Sequence, residues 1–178
     1  MAKCEKILIS GFSGAGKTSF IRELEFSCPN SAWTFSDLDQ LILKGQGAEE
    51  VSLLIDTHGW DQFRRWERQS LEGWLKEDGS GVLSLGGGTL SQAIYDLYQP
   101  SRKIGFLYLH ASFEDCWERL HLESTEARPL IKLGKDGLHR VYEERLKVFS
   151  QIPWRLDNPK GGNLGLLAKR FWEQVYPS

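Results

Sequence analysis

The stretch Gly11-Phe12-Ser13-Gly14-Ala15-Gly16-Lys17-Thr18 decides how the rest of the chain is read. An apolar run at residues 6–10 precedes it and predicts a short buried strand; a helical pattern at 18–26 follows and stops before Cys28-Pro29. Glycine, four residues, glycine, lysine and a hydroxyl residue, set between a strand and a helix, form the pattern of a phosphate-binding loop. Glycines let successive backbone N–H groups curl around phosphate oxygens, and the positive end of the helix dipole adds to the attraction. Gly11, Ser13, Gly14, Ala15, Gly16, Lys17, Thr18 and Ser19 are the candidate contacts to ATP. Lys17 is placed to reach the β and γ phosphates and Thr18 to bind Mg2+. A chance glycine-rich turn is the other reading, and the flanking strand and helix argue against it.

Outward from the loop, an apolar segment at 32–35 leads to Asp37 and Asp39 at a strand end, and 41–59 reads as irregular. Over 61–76, Phe63, Trp66, Leu71, Trp74 and Leu75 recur at helical spacing until Asp78-Gly79. A strand at 81–85 closes on Gly86-Gly87-Gly88, and Ser91 is a candidate N-cap for a short helix through Tyr98. The segment 103–110 is apolar nearly throughout, as a strand covered on both faces must be. Ser112 opens a helix to Leu122, 123–135 is polar and punctuated, and 136–149 is helical again. A short strand at 154–156, a Pro159-Lys160-Gly161-Gly162 loop and a helix over 164–175 complete the pattern. About five strands alternating with helices predict an α/β fold, a parallel sheet with helices on both faces. The 178 residues contain no repeat, low-complexity tract or linker, which makes 1–178 a single domain.

The 22 Lys and Arg against 24 Asp and Glu leave no excess cation for a nucleic-acid backbone or an anionic membrane surface. Three cysteines without C-x-x-C spacing encode neither a disulfide framework nor a zinc ribbon, and a reducing compartment is expected. No secretory signal follows Lys3 and Lys6, and no apolar run approaches the roughly 20 residues that span a bilayer, so a cytoplasmic location is expected. The four histidines lack metal-ligand spacing and read as structural or surface residues. Trp66, Trp74, Trp117 and Trp172 fall at helical positions and read as core, and Cys116 has no neighbour in sequence that would activate it.

A phosphate loop specifies a nucleotide without saying what receives the phosphoryl group. Asp37 and Asp39, two residues apart, share one side of an extended segment, where one carboxylate can support Mg2+ and the other take a substrate hydroxyl. The competing reading is a solvated pair that caps a helix starting near Gln40. Arg64 and Glu67 share a helix face, so that Glu67 can hold Arg64 as a fork for a carboxylate; the alternative is a surface ion pair. Gly86, Gly87 and Gly88 let backbone approach a small ligand closely, or form only a flexible turn. Arg128-Pro129 and Arg145 each read alone as surface residues.

Taken together and in order, these residues resemble the shikimate kinase family. The matching elements are the phosphate loop, Asp37-x-Asp39, Phe63-Arg64 with Glu67, Ser84-Leu85-Gly86-Gly87-Gly88, Ala127-Arg128-Pro129-Leu130, and Glu144-Arg145 followed by aromatic Phe149. Order and approximate spacing hold from about residue 5 to about residue 160. The resemblance implies a three-layer αβα, nucleoside monophosphate kinase-like fold with a five-stranded parallel sheet, a mobile lid at about 123–136 and a substrate-binding segment at about 40–65. It also implies MgATP-dependent phosphorylation of the shikimate 3-hydroxyl by a monomer. Carried over by position, Asp39 holds the acceptor hydroxyl as general base, and Ser84 joins Thr18 and Asp37 around Mg2+. Phe63, Arg64, Gly86, Gly87, Gly88 and Arg145 bind the acceptor, with Arg64 and Arg145 on its carboxylate and Glu67 orienting Arg64. Arg128 enters with the lid to neutralise the transferring phosphoryl group, and Arg119 stacks on adenine.

Trp60 stands where the family usually has an acidic residue, 41–59 carries about one extra residue, and 145–149 lacks the Pro and Tyr common after that arginine. These departures lie on the acceptor side. The competing functions are a related kinase of gluconate or a nucleoside monophosphate, and a nucleotide-binding module without catalysis.

Overall fold

In a computed structural model, which describes residues 4–28, 32–122 and 129–175, five strands run parallel in one sheet. They are β1 (Lys6–Ser10), β2 (Trp33–Asp37), β3 (Ser80–Ser84), β4 (Ile104–His110) and β5 (Arg155–Asp157), in the order β2-β3-β1-β4-β5. Around them pack α1 (Lys17–Phe26), α2 (Leu38–Gln46), α3 (Val51–Lys76), α4 (Gln92–Tyr98), α5 (Phe113–Leu122), α6 (Gly134–Phe149) and α7 (Leu164–Val175). A 3-10 turn, Pro129–Leu133, leads into α6.

Alternation along the strands divides the interior in two. Leu8 of β1, Leu83 of β3 and Phe106 and Tyr108 of β4 face one cluster, built with side chains of α2, α3, α5 and α6. Ile7 and Ile9, Val82, and Leu107 and Leu109 face the other, closed by Phe20 and Leu24 of α1 and by Phe171 and Trp172 of α7. Both faces of the sheet are thus covered, as its near-continuous apolar strands require, and the three-layer αβα expectation holds.

The segment 41–59 departs from the sequence reading, because most of it is helical. Asp37 caps α2, its Oδ1 accepting hydrogen bonds from the backbone N–H of Asp39 at 3.0 Å and Gln40 at 3.4 Å. Leu38, Ile42 and Leu43 carry the buried face of this helix, and it ends on Gly47. The following helix is broken at Gly59, whose φ of 80° and ψ of 163° interrupt α3 and hid its first turns from a search for one period.

The sheet also places the site. The chain turns back at β1, which has β3 on one side and β4 on the other, and ligands of open α/β sheets bind beyond the carboxyl ends of the strands at such a switch point. Residues 11–18 leave β1 there. Asp37 ends β2 and Ser84 ends β3, and the two are register partners.

Candidate active site

The carboxyl ends of the strands open into a cleft of about 610 Å³ with the phosphate loop at one end and Asp39, Arg64 and Arg145 lining its walls. Lys17 is buried, and its Nζ donates to the carbonyls of Gly11 at 2.8 Å and Phe12 at 3.0 Å. Burial pushes its ammonium down to about 8, a shift that Asp39 and Asp37 oppose. Asn158, immediately after β5, fixes the loop from below, with Nδ2 donating to the Ala15 carbonyl at 2.9 Å. Arg119 of α5 donates to the carbonyls of Gly14 at 3.2 Å and Asn158 at 2.9 Å, so one guanidinium ties the loop to the segment after β5.

Thr18 Oγ1 donates to Asp37 Oδ2 at 3.2 Å, and Ser84 is buried next to Asp37 in the sheet. These three residues offer hydroxyl and carboxylate oxygens, the hard donors that Mg2+ takes together with phosphate oxygens and water. The donor chemistry therefore fits the ion. Among the described residues, no group of three or more His, Cys, Asp and Glu is arranged to hold a metal by itself. Asp37 caps α2 through one oxygen, as one of the two sequence readings expected, and its other oxygen meets Thr18. Asp39 lies in the first turn of that helix and lines the cleft.

The end of the cleft away from the phosphate loop is built on α3, α6 and the turn after β3. Glu67 is buried; its Oε2 accepts from Arg64 Nη1 and its Oε1 from Thr89 Oγ1. The Arg64–Glu67 pair is therefore part of the cleft wall and not a solvated surface pair. Gly87 abuts Ser13 of the phosphate loop. A Cβ on Gly88 would lie 2.6 Å from Arg145 Nη2 and 2.7 Å from Arg64 Nη2, so two guanidinium groups converge on the space that the missing side chain leaves. Burial and the charge of Arg64 push Arg145 down to about 10, which leaves it charged at neutral pH. Arg145 Nη1 is buried without a hydrogen-bond partner among the described residues. Two like charges held together, one with an unpaired donor, make a site for an anion. Phe63 is buried at the base of this wall.

The cleft thus brings together Ser13, Gly14, Gly16, Lys17, Thr18 and Ser19 with Asp37, Asp39, Ser84 and Arg119. It also holds Phe63, Arg64, Glu67, the three glycines and Arg145. Gly11 and Ala15 contribute through the loop backbone. Arg128, with the first part of the lid at 123–128, lies outside the described residues. Three contributors went unread in the sequence. Thr89 and Asn158 act as buried hydrogen-bonding supports, for which position just beyond a strand was the available signal; Phe12 looked like a filler position in the loop pattern but packs beneath Arg145, at 5.2 Å from its guanidinium carbon. Cys116 is buried, its thiol pushed up to about 11 by burial, and stays protonated at neutral pH. Trp74 and Trp172 are core, whereas Trp66 and Trp117 are only partly buried. No helix among the described residues is long and apolar enough to cross a membrane.

The family profile described as "Shikimate kinase" matches residues 13–170. The shikimate kinase of Dictyoglomus turgidum is 32% identical over 143 residues, covering 78% of either chain. That of Lactococcus lactis is 29% identical over 150 residues, covering 82% of this chain and 83% of the other. In three dimensions, the Acinetobacter baumannii shikimate kinase, solved in complex with shikimate, superposes with a TM-score of 0.82 at 21% identity, over 98% of this chain and 94% of that one. A gluconokinase from Sinorhizobium meliloti shares the fold more distantly, with a TM-score of 0.56 at 17% identity, over 99% of this chain and 100% of that one. With its profile match running from within the phosphate loop past both Arg64 and Arg145, the chain belongs to the shikimate kinase family.

Proposed function

We propose that this chain transfers the γ-phosphoryl group of MgATP to the 3-hydroxyl of shikimate, giving shikimate 3-phosphate and ADP. The observation that carries the acceptor half is the convergence of Arg64 and Arg145 on Gly88, with Arg145 Nη1 buried and unpaired, in the same cleft as a phosphate loop. A planar carboxylate answers that fork with two charge-assisted hydrogen bonds.

The remaining roles follow from position in the cleft. Backbone N–H groups of residues 13–19 cradle the phosphates, and Lys17 exchanges its loop carbonyl partners for phosphate oxygens. Thr18, Asp37 and Ser84 hold Mg2+, which supplies positive charge to the phosphates when bound. Asp39, one turn into α2, accepts the hydrogen bond of the acceptor hydroxyl and takes its proton as the bond to phosphorus forms. Glu67 keeps Arg64 in the plane that meets the carboxylate, and Gly86, Gly87 and Gly88 lie against the acceptor ring. Arg119, pinned by two carbonyls, stacks on adenine. Arg128, carried by the segment before Pro129–Leu133, neutralises the transferring group and helps exclude water. The fold has little covalent chemistry to perform: the cleft supplies orientation and charge. A monomer suffices for this chemistry, because every group named belongs to one chain.

The test is ADP release from MgATP by the purified chain, with shikimate, gluconate, CMP, AMP or no acceptor. ADP formed only with shikimate, together with a phosphorylated product seen by mass, is expected. Turnover with another acceptor instead would discard the carboxylate assignment, and ATP binding without turnover on any acceptor would leave a nucleotide-binding module.

A further inference from the structure

Trp60 is 40% exposed and lines the acceptor end of the cleft, a large apolar ring left out of the core. It follows Gly59, whose backbone conformation breaks α3 and sets the direction in which residue 60 leaves the chain. Its ring meets Phe63 edge-on, with centroids 6.2 Å apart at 88°. The Arg64 guanidinium carbon lies over the Trp60 ring, 5.1 Å from its centroid. Arg64 is therefore held on two sides: Glu67 takes Nη1 and the indole covers the guanidinium face, while Nη2 points to the space beside Gly88. It needs holding, because Arg145 presents a second positive charge at the same point.

We propose, on the reading of the site as a shikimate kinase centre, that Trp60 is a positioning residue for the acceptor carboxylate and acts through Arg64. The ring attracts the guanidinium through its quadrupole and fixes the plane of the fork. A carboxylate at this place would also hold Arg64, but it would cancel part of the charge that the acceptor must meet. The indole holds the arginine without spending that charge, which Glu67 already offsets from the other side.

The experiment compares the wild-type chain with Trp60→Phe, Trp60→Leu and Trp60→Ala, using both shikimate and its methyl ester as acceptors. Wild-type turnover of shikimate is the control for the reading of the site, and its absence would sink that reading before the role of Trp60 is reached. Given turnover, Trp60→Leu and Trp60→Ala are expected to raise the KM for shikimate about fivefold. The kcat and the KM for ATP should stay within about twofold, and Trp60→Phe should recover most of the loss. The ester lacks the charge that Arg64 meets, so its KM should be insensitive to all three substitutions. Equal losses for acid and ester would make Trp60 a simple wall of the pocket and overturn the proposal. So would an unchanged KM for shikimate, or a matching change in the KM for ATP. Leucine keeps an apolar side chain at this half-exposed place, so the comparison stands even if the alanine variant folds poorly.

Discussion

Burial takes the Lys17 ammonium from its ordinary 10.5 to about 8, with Asp39 and Asp37 opposing the shift. Between those two values the unfolded chain holds more protons at this position than the folded one, so this group makes stability rise with pH across that window. Nucleotide binding runs the other way, because the phosphates need the charged amine. The Kd for ATP, followed by titration calorimetry, is therefore expected to be flat below pH 8 and to weaken above it, by up to about tenfold per unit. Lys17→Met should bind ATP more weakly and lose the bend; a wild-type curve without a bend near pH 8 would mean that the amine is not desolvated in the free chain. Asp39 makes a different demand. Asp39→Asn is expected to lower kcat by about 10²–10⁴ while the Kd for ATP stays within about twofold, and unchanged turnover in a rapid ADP assay would remove the carboxylate from its acceptor role. At this scale the sequence was legible wherever spacing implied contact. Lys17 and Thr18 sit in one loop, and Arg64 and Glu67 on one helix face. It was not legible where a partner is remote: Asn158 reaches Ala15 across 143 positions, and nothing local to either residue announces the bond.

The turn between β3 and α4 and the break in α3 are the two elements that shape the acceptor end. Gly88→Ala would place a methyl group 2.6 Å from Arg145 Nη2 and 2.7 Å from Arg64 Nη2, both at the far ends of flexible side chains. The fold can yield by moving the guanidinium groups, but the fork cannot then keep its spacing. The expected outcome is an unchanged melting temperature with a KM for shikimate raised by about tenfold or more, since a displaced charge-assisted pair forfeits about 1.5–3 kcal/mol. A melting temperature lowered in step with activity would instead assign the turn to stability. Gly59 has the opposite balance. No atom lies within 4 Å of a Cβ added there, yet its φ of 80° and ψ of 163° are open almost only to glycine. Gly59→Ala is therefore expected to cost about 1–3 kcal/mol of unfolding free energy in denaturant titration, and no loss would show that the helix can run straight. The same break explains why 41–59 read as irregular. Glycines at 45, 47 and 59 and paired glutamates at 49 and 50 dilute the helical period, and what stabilises these turns is Asp37 at one end and the packing of Leu54 and Ile55 into the core. Strands β1, β3 and β4 were readable because a parallel sheet buried on both faces leaves no room for polar residues in its centre.

Across the whole molecule, the two ends of the cleft rest on one hydrophobic cluster. Phe12 from the phosphate loop, Leu38 and Ile42 from α2, Phe63 from α3 and Tyr142 from α6 all belong to it, whereas α1 and α7 pack on the opposite side of the sheet. Phe12 joins the two functions directly. Its ring is edge-on to Tyr142, with centroids 5.1 Å apart at 80°, and the Arg145 guanidinium carbon lies 5.2 Å above it. A residue of the phosphate-loop motif thus supports Arg145, for which an acceptor role is proposed, while the backbone N–H groups proposed to cradle phosphate do not depend on this side chain. Phe12→Leu keeps an apolar side chain under the loop but removes the aromatic face and edge. It is expected to lower stability by about 1 kcal/mol through the lost ring contact and to raise the KM for shikimate about threefold to tenfold through the lost cation–π support. The Kd for ATP should stay within about twofold, because the N–H cradle is unchanged. Denaturant unfolding, steady-state kinetics and ATP calorimetry on the one variant separate these effects. If ATP binding weakened while the acceptor KM held, Phe12 would shape the phosphate loop alone, and the common cluster would not carry structure from one substrate to the other.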